Sequence, residues 1–297
     1  MVDERDFSIL SQLRRDPFSS YEAMGRSIGL SGNAVKARIE AMKDARFLTS
    51  LRAVPAAQVF GRTPSLFFFK EPVALEELNA SIEVDPVVFA TVDVNRSAAA
   101  LVYSNSPAPG PPEKLVSLLG PVASAVIPLF PYPRRQLSRP VSLAELRVLR
   151  ALVEDLRVPL KEISESTGLS QKVVKKTRTR LLDQGLLQVQ PVFQSARSSR
   201  ILVFEVHVHS SDDSVLSRIR RTLPRSMFVN QWDKTAVVLS CWAESMAEVS
   251  ETERRLRGEP GVSDVRVKFH ARAILATARL LSWIDDQVLG LEGGTRA

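Results

Sequence analysis

Two short stretches of this chain place polar and cationic side chains at the spacing of a single helix face. The first holds Ser31, Asn33, Lys36, Ala37 and Arg38; the second holds Ser170, Gln171, Lys172, Lys175, Lys176, Arg178 and Arg180. Asparagine can hold adenine through two hydrogen bonds, arginine or lysine can hold guanine, and serine or a free helix N-terminus can hold a phosphate. A face of this kind set in the major groove of double-stranded DNA would read sequence. Solvated helices carry charges too, so the reading depends on the elements that position these residues.

Each stretch follows a Gly-Leu-Ser turn, Gly29-Leu30-Ser31 and Gly168-Leu169-Ser170. Glycine ends a helix cheaply in the left-handed conformation, leucine plugs the corner and serine caps the next helix. Apolar spacing predicts helices at Asp6 to Arg15, Ser20 to Ser27 and Gly32 to Arg46, with Val35, Ile39 and Met42 inward on the third. The same layout returns at Leu143 to Asp155, Leu160 to Ser166 and Gln171 to Gln184, with Pro159 opening its second helix. Each trio is a helix-turn-helix.

The turns lie 139 residues apart, and that offset pairs Leu10 with Leu149, Val35 with Val174, Met42 with Leu181, Leu48 with Leu187 and Phe89 with Phe228. One inserted residue brings Val122 onto Val262. The chain is therefore a tandem duplication of a domain-sized unit. After each helical trio the pattern becomes βαββαβ. In the first copy this runs through Leu66 to Lys70, Ala74 to Glu83, Val87 to Thr91, Ala98 to Tyr103, Pro112 to Leu119 and Val122 to Phe130. In the second it runs through Ile201 to His209, Val215 to Leu223, Met227 to Gln231, Thr235 to Trp242, Met246 to Arg257 and Val262 to His270. Such a unit is a ferredoxin-like sandwich with its helices on one sheet face, and the other face wants a partner. Leu129 to Pro140, with Pro131 and Pro133, is a stiff linker. An extra amphipathic helix is expected from Ile274 to Leu289, covering the second sandwich or joining subunits.

Composition narrows the class. The 297 residues are 44% hydrophobic and carry a net +7 with a pI near 9.8. Residues 1–138 hold 15 Lys and Arg against 14 Asp and Glu, while residues 139–297 hold 25 against 19. The excess positive charge lies in the second copy, which fits a polyanion partner. No secretory signal, membrane span or disulfide pair is apparent, so a cytoplasmic protein is expected. Cys241 reads as a small buried apolar residue. Tyr103, Trp232 and Trp242 read as core or interface aromatics. His207, His209 and His270 should share the sheet face away from the helices, beside Glu205. Three imidazoles can hold zinc, but polar residues in a sheet-to-sheet interface are the commoner case, and no metal is expected. Phosphate-cradling glycine loops, nucleophile elbows and His-Glu-x-x-His are all missing, so no enzyme is expected.

The first copy, DFSILSQLRRDPFSSYEAMGRSIGLSGNAVKARIEAMKDARFLTSLRAVPAAQVFG, resembles the Lrp/AsnC family of bacterial and archaeal regulators. The remainder resembles that family's ligand-sensing βαββαβ module, so the chain looks like two protomers fused. The resemblance implies an α+β fold, with two winged helix-turn-helix units and two ferredoxin-like domains forming an internal pseudo-dimer. The expected divisions are 1–52, 53–135, 136–190 and 191–297. It also implies a sequence-specific DNA-binding regulator that self-associates through sheet faces or the C-terminal helix. No resident cofactor is expected, and an effector such as an amino acid is left unidentified. The alternative is a sensor or scaffold that works through protein contacts. Two departures stand out. Neither Asp93 to Ala98 nor Trp232 to Val237 shows the family's Gly-x-x-Asp signature. Arg178 falls at the core position of Ile39, so the third helix must tilt or lay the arginine stem over the core edge. A sirohaem decarboxylase branch with the same resemblance carries His-Asn-Tyr at its second sheet strand, where this chain reads Val87-Val88-Phe89-Ala90 and Met227-Phe228-Val229-Asn230.

Overall fold

The computed structural model describes residues 2–45, 47–105, 110–126, 139–193, 201–222, 226–231 and 235–294. Arg46, Trp232, Pro131, Pro133 and the expected strand residues after Val126 lie outside them. The first trio is α1 (Glu4–Arg15), α2 (Tyr21–Ile28) and α3 (Gly32–Asp44); the second is α6 (Leu143–Glu154), α7 (Leu160–Thr167) and α8 (Gln171–Asp183). Between them lie β1 (Leu48–Pro55), β2 (Thr63–Pro72), α4 (Leu75–Ser81), β3 (Val87–Asp93), β4 (Ser97–Ser104), α5 (Glu113–Leu119) and β5 (Val122–Val126). The second copy continues with β6 (Leu187–Phe193), β7 (Leu202–Ser210), α9 (Asp213–Thr222), β8 (Ser226–Gln231), β9 (Ala236–Ala243), α10 (Met246–Arg257) and β10 (Val262–Lys268).

Both copies build the same antiparallel sheet, ordered β5-β2-β4-β3 and β10-β7-β9-β8. The exits from the two helical trios, β1 and β6, pair with each other antiparallel from Leu48↔Phe193 to Pro55↔Leu187. This ribbon ties the two halves at their centre. The two sheets meet where Leu66 and Ala99 pack against Ala236 and Val238.

Each helical trio sits on the sandwich of the other copy. Phe7 of α1 stacks on Trp242 of β9 at 4.9 Å between centroids, and the core of the first trio includes Ile201 and Trp242. Leu146 of α6 shares a cluster with Tyr103 of β4. Phe7 and Leu146 are counterparts at the 139-residue offset, as are Tyr103 and Trp242. The crossing is thus made twice by equivalent residues. Fully burying such a side chain contributes roughly 2 kcal/mol, so each trio is firmly held.

The C-terminus departs from the expectation. Ile274 and Leu275 are in a strand, β11 (His270–Leu275), that pairs antiparallel with β3 and extends the first copy's sheet to five strands. The helix that follows, α11 (Thr277–Gly294), covers the first sandwich and α6, not the second sandwich. Leu280 and Ile284 join the cluster of Val88, Tyr103 and Leu146, and Trp283 packs edge-on to Phe60 at 5.4 Å. Asp285 binds Arg150 of α6 at 2.6 Å and Glu292 binds Arg147 at 2.7 Å. Lys268 ends β10 and Phe269 breaks the run, which turns the chain across to the other copy. Alternation alone did not show that break. Among the described residues no helix is long and apolar enough to cross a membrane.

Candidate nucleic-acid interface

The two Gly-Leu-Ser turns are built alike and closed differently. Gly29 and Gly168 have φ of 70° and 71°, a region that side chains disfavour. Ser31 caps α3 by accepting from the Ala34 N–H, and Ser170 caps α8 by accepting from the Val173 N–H. In the first unit Gly25 lies so close to the Leu30 carbonyl that a methyl group would collide with it. Its counterpart Ser164 instead donates its hydroxyl to the Leu169 carbonyl at 2.5 Å.

On α3 the buried side chains are Val35, Ile39 and Met42, while Ser31, Asn33, Lys36 and Ala37 are exposed. On α8 the buried set is Val174, Thr177 and Leu181, and Ser170, Gln171, Lys172, Lys175 and Lys176 are exposed. The expected outer faces therefore lie on the surface, with three arginines placed elsewhere. Arg38 donates to Asp3 at 2.9 Å and to Asp6 at 3.0 Å. Arg180 is 3.2 Å from Glu145 and donates to Gln184 at 3.1 Å. Arg178 lies with its guanidinium 4.0 Å from the ring centre of Phe18, in the α1–α2 turn of the other unit. The helix has rotated so that Thr177 fills the inward place, and the arginine stem runs along the core edge. That contact is reinforced by Arg157, whose Nη1 donates to the Pro17 carbonyl at 3.0 Å while its guanidinium lies 4.9 Å from the ring centre of Tyr21. The two units are thus clamped to each other. Sequence reasoning missed Phe18, Tyr21 and Arg157 because nothing local marks a turn residue as a contact.

The electrostatics of the two faces are opposed. Glu22 lays its carboxylate over Gly32, at the N-terminus of α3, where a phosphate would otherwise bind. Glu40 lies 3.9 Å from Lys36. At the offset of 139, Glu22, Asn33, Lys36, Ala37 and Glu40 become Lys161, Lys172, Lys175, Lys176 and Thr179. These five positions carry one net negative charge in the first unit and four positive charges in the second. Among the described residues Lys172, Lys175 and Lys176 have no acidic partner, whereas Lys161 lies 3.7 Å from Glu165.

The first helices are anchored by capping boxes whose acids shift in opposite directions. Burial tends to raise the pKa of Glu145, but hydrogen bonds from Ser142 and Arg139 outweigh it and hold the group below the ordinary glutamate value. Its counterpart Asp6 is pushed up by burial and by the charge of Asp3, against hydrogen bonds from the Asp3 N–H and Arg38. Asp3 is lowered because hydrogen bonds and the charge of Arg38 exceed the effect of its burial.

A cleft of about 760 Å³ opens between the two sheets. Phe68 and Phe69 of β2, the Asp93 to Ala98 turn, His207 and His209 of β7, and Arg266 to Phe269 line it. The two histidines do face away from the helices; the side chain of His270 lies outside the described residues. Among the described residues no group of three His, Cys, Asp or Glu side chains is placed to hold a metal. Cys241 is buried, and burial pushes its thiol up to about 12.

Residues 2–43 match the model of the AsnC-type helix-turn-helix domain. No curated protein matches the sequence. Among solved structures, siroheme decarboxylase NirDL aligns over 97% of this chain and 99% of its own, with a TM-score of 0.50 at 13% identity. AsnC of E. coli aligns over 46% of this chain and 93% of its own, with a TM-score of 0.32 at 10% identity. LrpC of B. subtilis aligns over 46% and 95%, with a TM-score of 0.32 at 17% identity. The likeness to NirDL shows a shared fold and nothing about chemistry.

Proposed function

We propose that this chain, of Lrp/AsnC type through its AsnC-type helix-turn-helix domain and its duplicated fold, is a sequence-specific DNA-binding transcriptional regulator whose second helix-turn-helix makes most of the DNA contact. The observation that carries this reading is the exposed face of α8, where, among the described residues, Lys172, Lys175 and Lys176 stand without acidic partners beside a capped helix N-terminus. Cations so placed neutralise phosphates and release counterions, while Gln171 and Lys172 near the helix start reach base edges. On α3, Asn33 is left to add sequence preference, and Glu22 limits the phosphate grip. A single chain then prefers an asymmetric site, and self-association restores two-fold symmetry at larger scale. In the same reading the cleft between the sheets takes a small-molecule effector.

In the first copy, the positions where the decarboxylase branch carries His-Asn-Tyr give no support to an enzymatic reading. Val87, Val88 and Ala90 are fully buried among apolar neighbours and offer no side chain that moves a proton. The test is fluorescence anisotropy of the whole chain with its own upstream DNA and a scrambled duplex at about 50 and 200 mM salt. Preference for the native fragment that survives the higher salt is expected. Equal affinity for both duplexes, or none, would replace a regulator with a nonspecific DNA binder or a protein-contact module.

A further inference from the structure

The exposed face of α8 carries one side chain that a grip on phosphates does not use. Val173 is 43% exposed; the other exposed large hydrophobics among the described residues are Leu75, Val94, Met246, Leu289 and Leu291, and none of these lies in a helix-turn-helix. Single apolar residues are ordinary on a protein surface, so position decides whether this one has a task.

Val173 stands in the first turn of α8, the part of a reading helix that comes nearest to base edges. Its N–H donates to Oγ of the capping Ser170 at 3.4 Å, which holds the backbone in place at this point. Gln171 and Lys172 precede it, and Lys176 follows by three positions on the same flank of the helix, all of them exposed. At the offset of 139 its counterpart is Ala34, which is half-buried in α3. Valine is the poorer helix former of the two. The second unit therefore presents a β-branched apolar group to solvent where the shared scaffold works with a single methyl.

The charge around Val173 indicates what covers it. Among the described residues Lys172, Lys175 and Lys176 lack acidic partners, and an apolar protein surface pressed on them would strip their water without replacing it. A DNA duplex brings phosphates to the lysines, and its major groove offers one apolar group at the base edges, the C5-methyl of thymine.

We infer that Val173 is a specificity-determining residue that packs its γ-methyl groups on the C5-methyl of a thymine in the DNA site. The inference deepens the regulator reading above and rests on it, since it needs α8 in the major groove. Gln171 and Lys172 select bases by hydrogen-bond pattern, and the methyl contact adds a preference that hydrogen bonds do not supply. The preference belongs to the second unit, because Ala34 is shorter and half-buried.

The test is anisotropy of the whole chain and of Val173→Ala with the native upstream fragment, made either with thymine or with deoxyuridine at every thymine position. Uracil keeps the base pairing and removes only the methyl. The unaltered chain should bind the uracil duplex about fourfold more weakly, the effect of one methyl group left unburied, and Val173→Ala should bind both duplexes alike. Replacing thymines one at a time should trace the loss to one position per bound chain. Any change that uracil makes to the shape of the duplex acts on both proteins and cancels in the comparison. Alanine favours the helix, so the variant folds at least as well as the unaltered chain. Equal affinity of the unaltered chain for both duplexes, or an equal loss in both proteins, would overturn the inference and leave the regulator reading in place. Absence of any preference for the native fragment over a scrambled duplex would overturn both, so the two failures are told apart.

Discussion

The two helix-turn-helix units share a backbone plan and differ in what their reading helices present. The first is the one whose sequence matches the AsnC-type domain, yet its α3 face carries Glu22 over the helix N-terminus and Glu40 against Lys36. The second lies outside that match and carries Lys161, Lys172, Lys175 and Lys176 at the corresponding positions and their neighbours. Likeness in sequence reports the residues that build the turn, and these are core and cap residues. Affinity for a polyanion rests on surface residues that the fold leaves free to change. In a duplicated chain each copy can therefore keep the architecture while one specialises in binding DNA and the other in contacts within the molecule.

The largest expected effect comes from removing the difference at its positive end. The triple substitution Lys172→Ala, Lys175→Ala and Lys176→Ala should lower DNA affinity about a hundredfold near 100 mM salt and reduce the salt slope by about 3, because each lost phosphate contact removes about 0.9 of slope. Unchanged binding would remove α8 from the interface. The reverse experiment, Glu22→Lys with Glu40→Thr, takes the same five positions of the first unit from one net negative charge to two positive charges and should raise affinity about tenfold, read in the same anisotropy titration. No gain would show that α3 does not approach DNA at all.

A smaller effect concerns the clamp. Phe18→Ala removes the ring under Arg178, and chemical denaturation should show a loss of about 2 kcal/mol, less than for a fully buried phenylalanine because Phe18 is half-buried. With the units freed from each other, the preferred spacing between half-sites should also broaden, read by binding to duplexes of graded spacer length. The smallest effect is in acid. The lowered pKa of Glu145 contributes stability above its unfolded value, near 4.5, and that contribution is lost as pH falls through the folded value. Asp6 has the opposite sign: its raised pKa favours folding in acid and that gain is lost as pH rises through the folded value, while the lowered pKa of Asp3 runs the other way. Between about pH 5 and 3, hydrogen exchange should therefore open α6 before α1. Simultaneous opening would mean that the two capping boxes are energetically alike.

Much of this organisation is legible in the sequence. The Gly-Leu-Ser turns, the inward residues Val35, Ile39 and Met42, the βαββαβ order and the exposure of Asn33, Lys36, Lys172, Lys175 and Lys176 follow from local rules of capping and periodicity. What was not legible depends on pairing between distant parts. The β1–β6 ribbon, the capture of β11 by the first sheet and the seating of each helical trio on the opposite sandwich are choices among partners that look equivalent in sequence. Arg178 is the clearest case. The sequence showed that it could not sit as Ile39 does, and only the fold supplies Phe18, 160 positions earlier in the chain, as the surface that takes it. Arg38 shows the converse: its place at the margin of the reading face was visible, but the capture by Asp3 and Asp6 was not.

The central claim is that the second unit grips DNA and the first does not grip it comparably. The most direct measurement is the salt dependence of binding to the native upstream fragment for two variants in parallel, Lys172→Ala/Lys175→Ala/Lys176→Ala and Asn33→Ala/Lys36→Ala. A fall in slope of about 3 for the first variant, and of no more than about 1 for the second, is the result predicted here. Equal falls would contradict it by making the two reading helices equivalent partners on DNA.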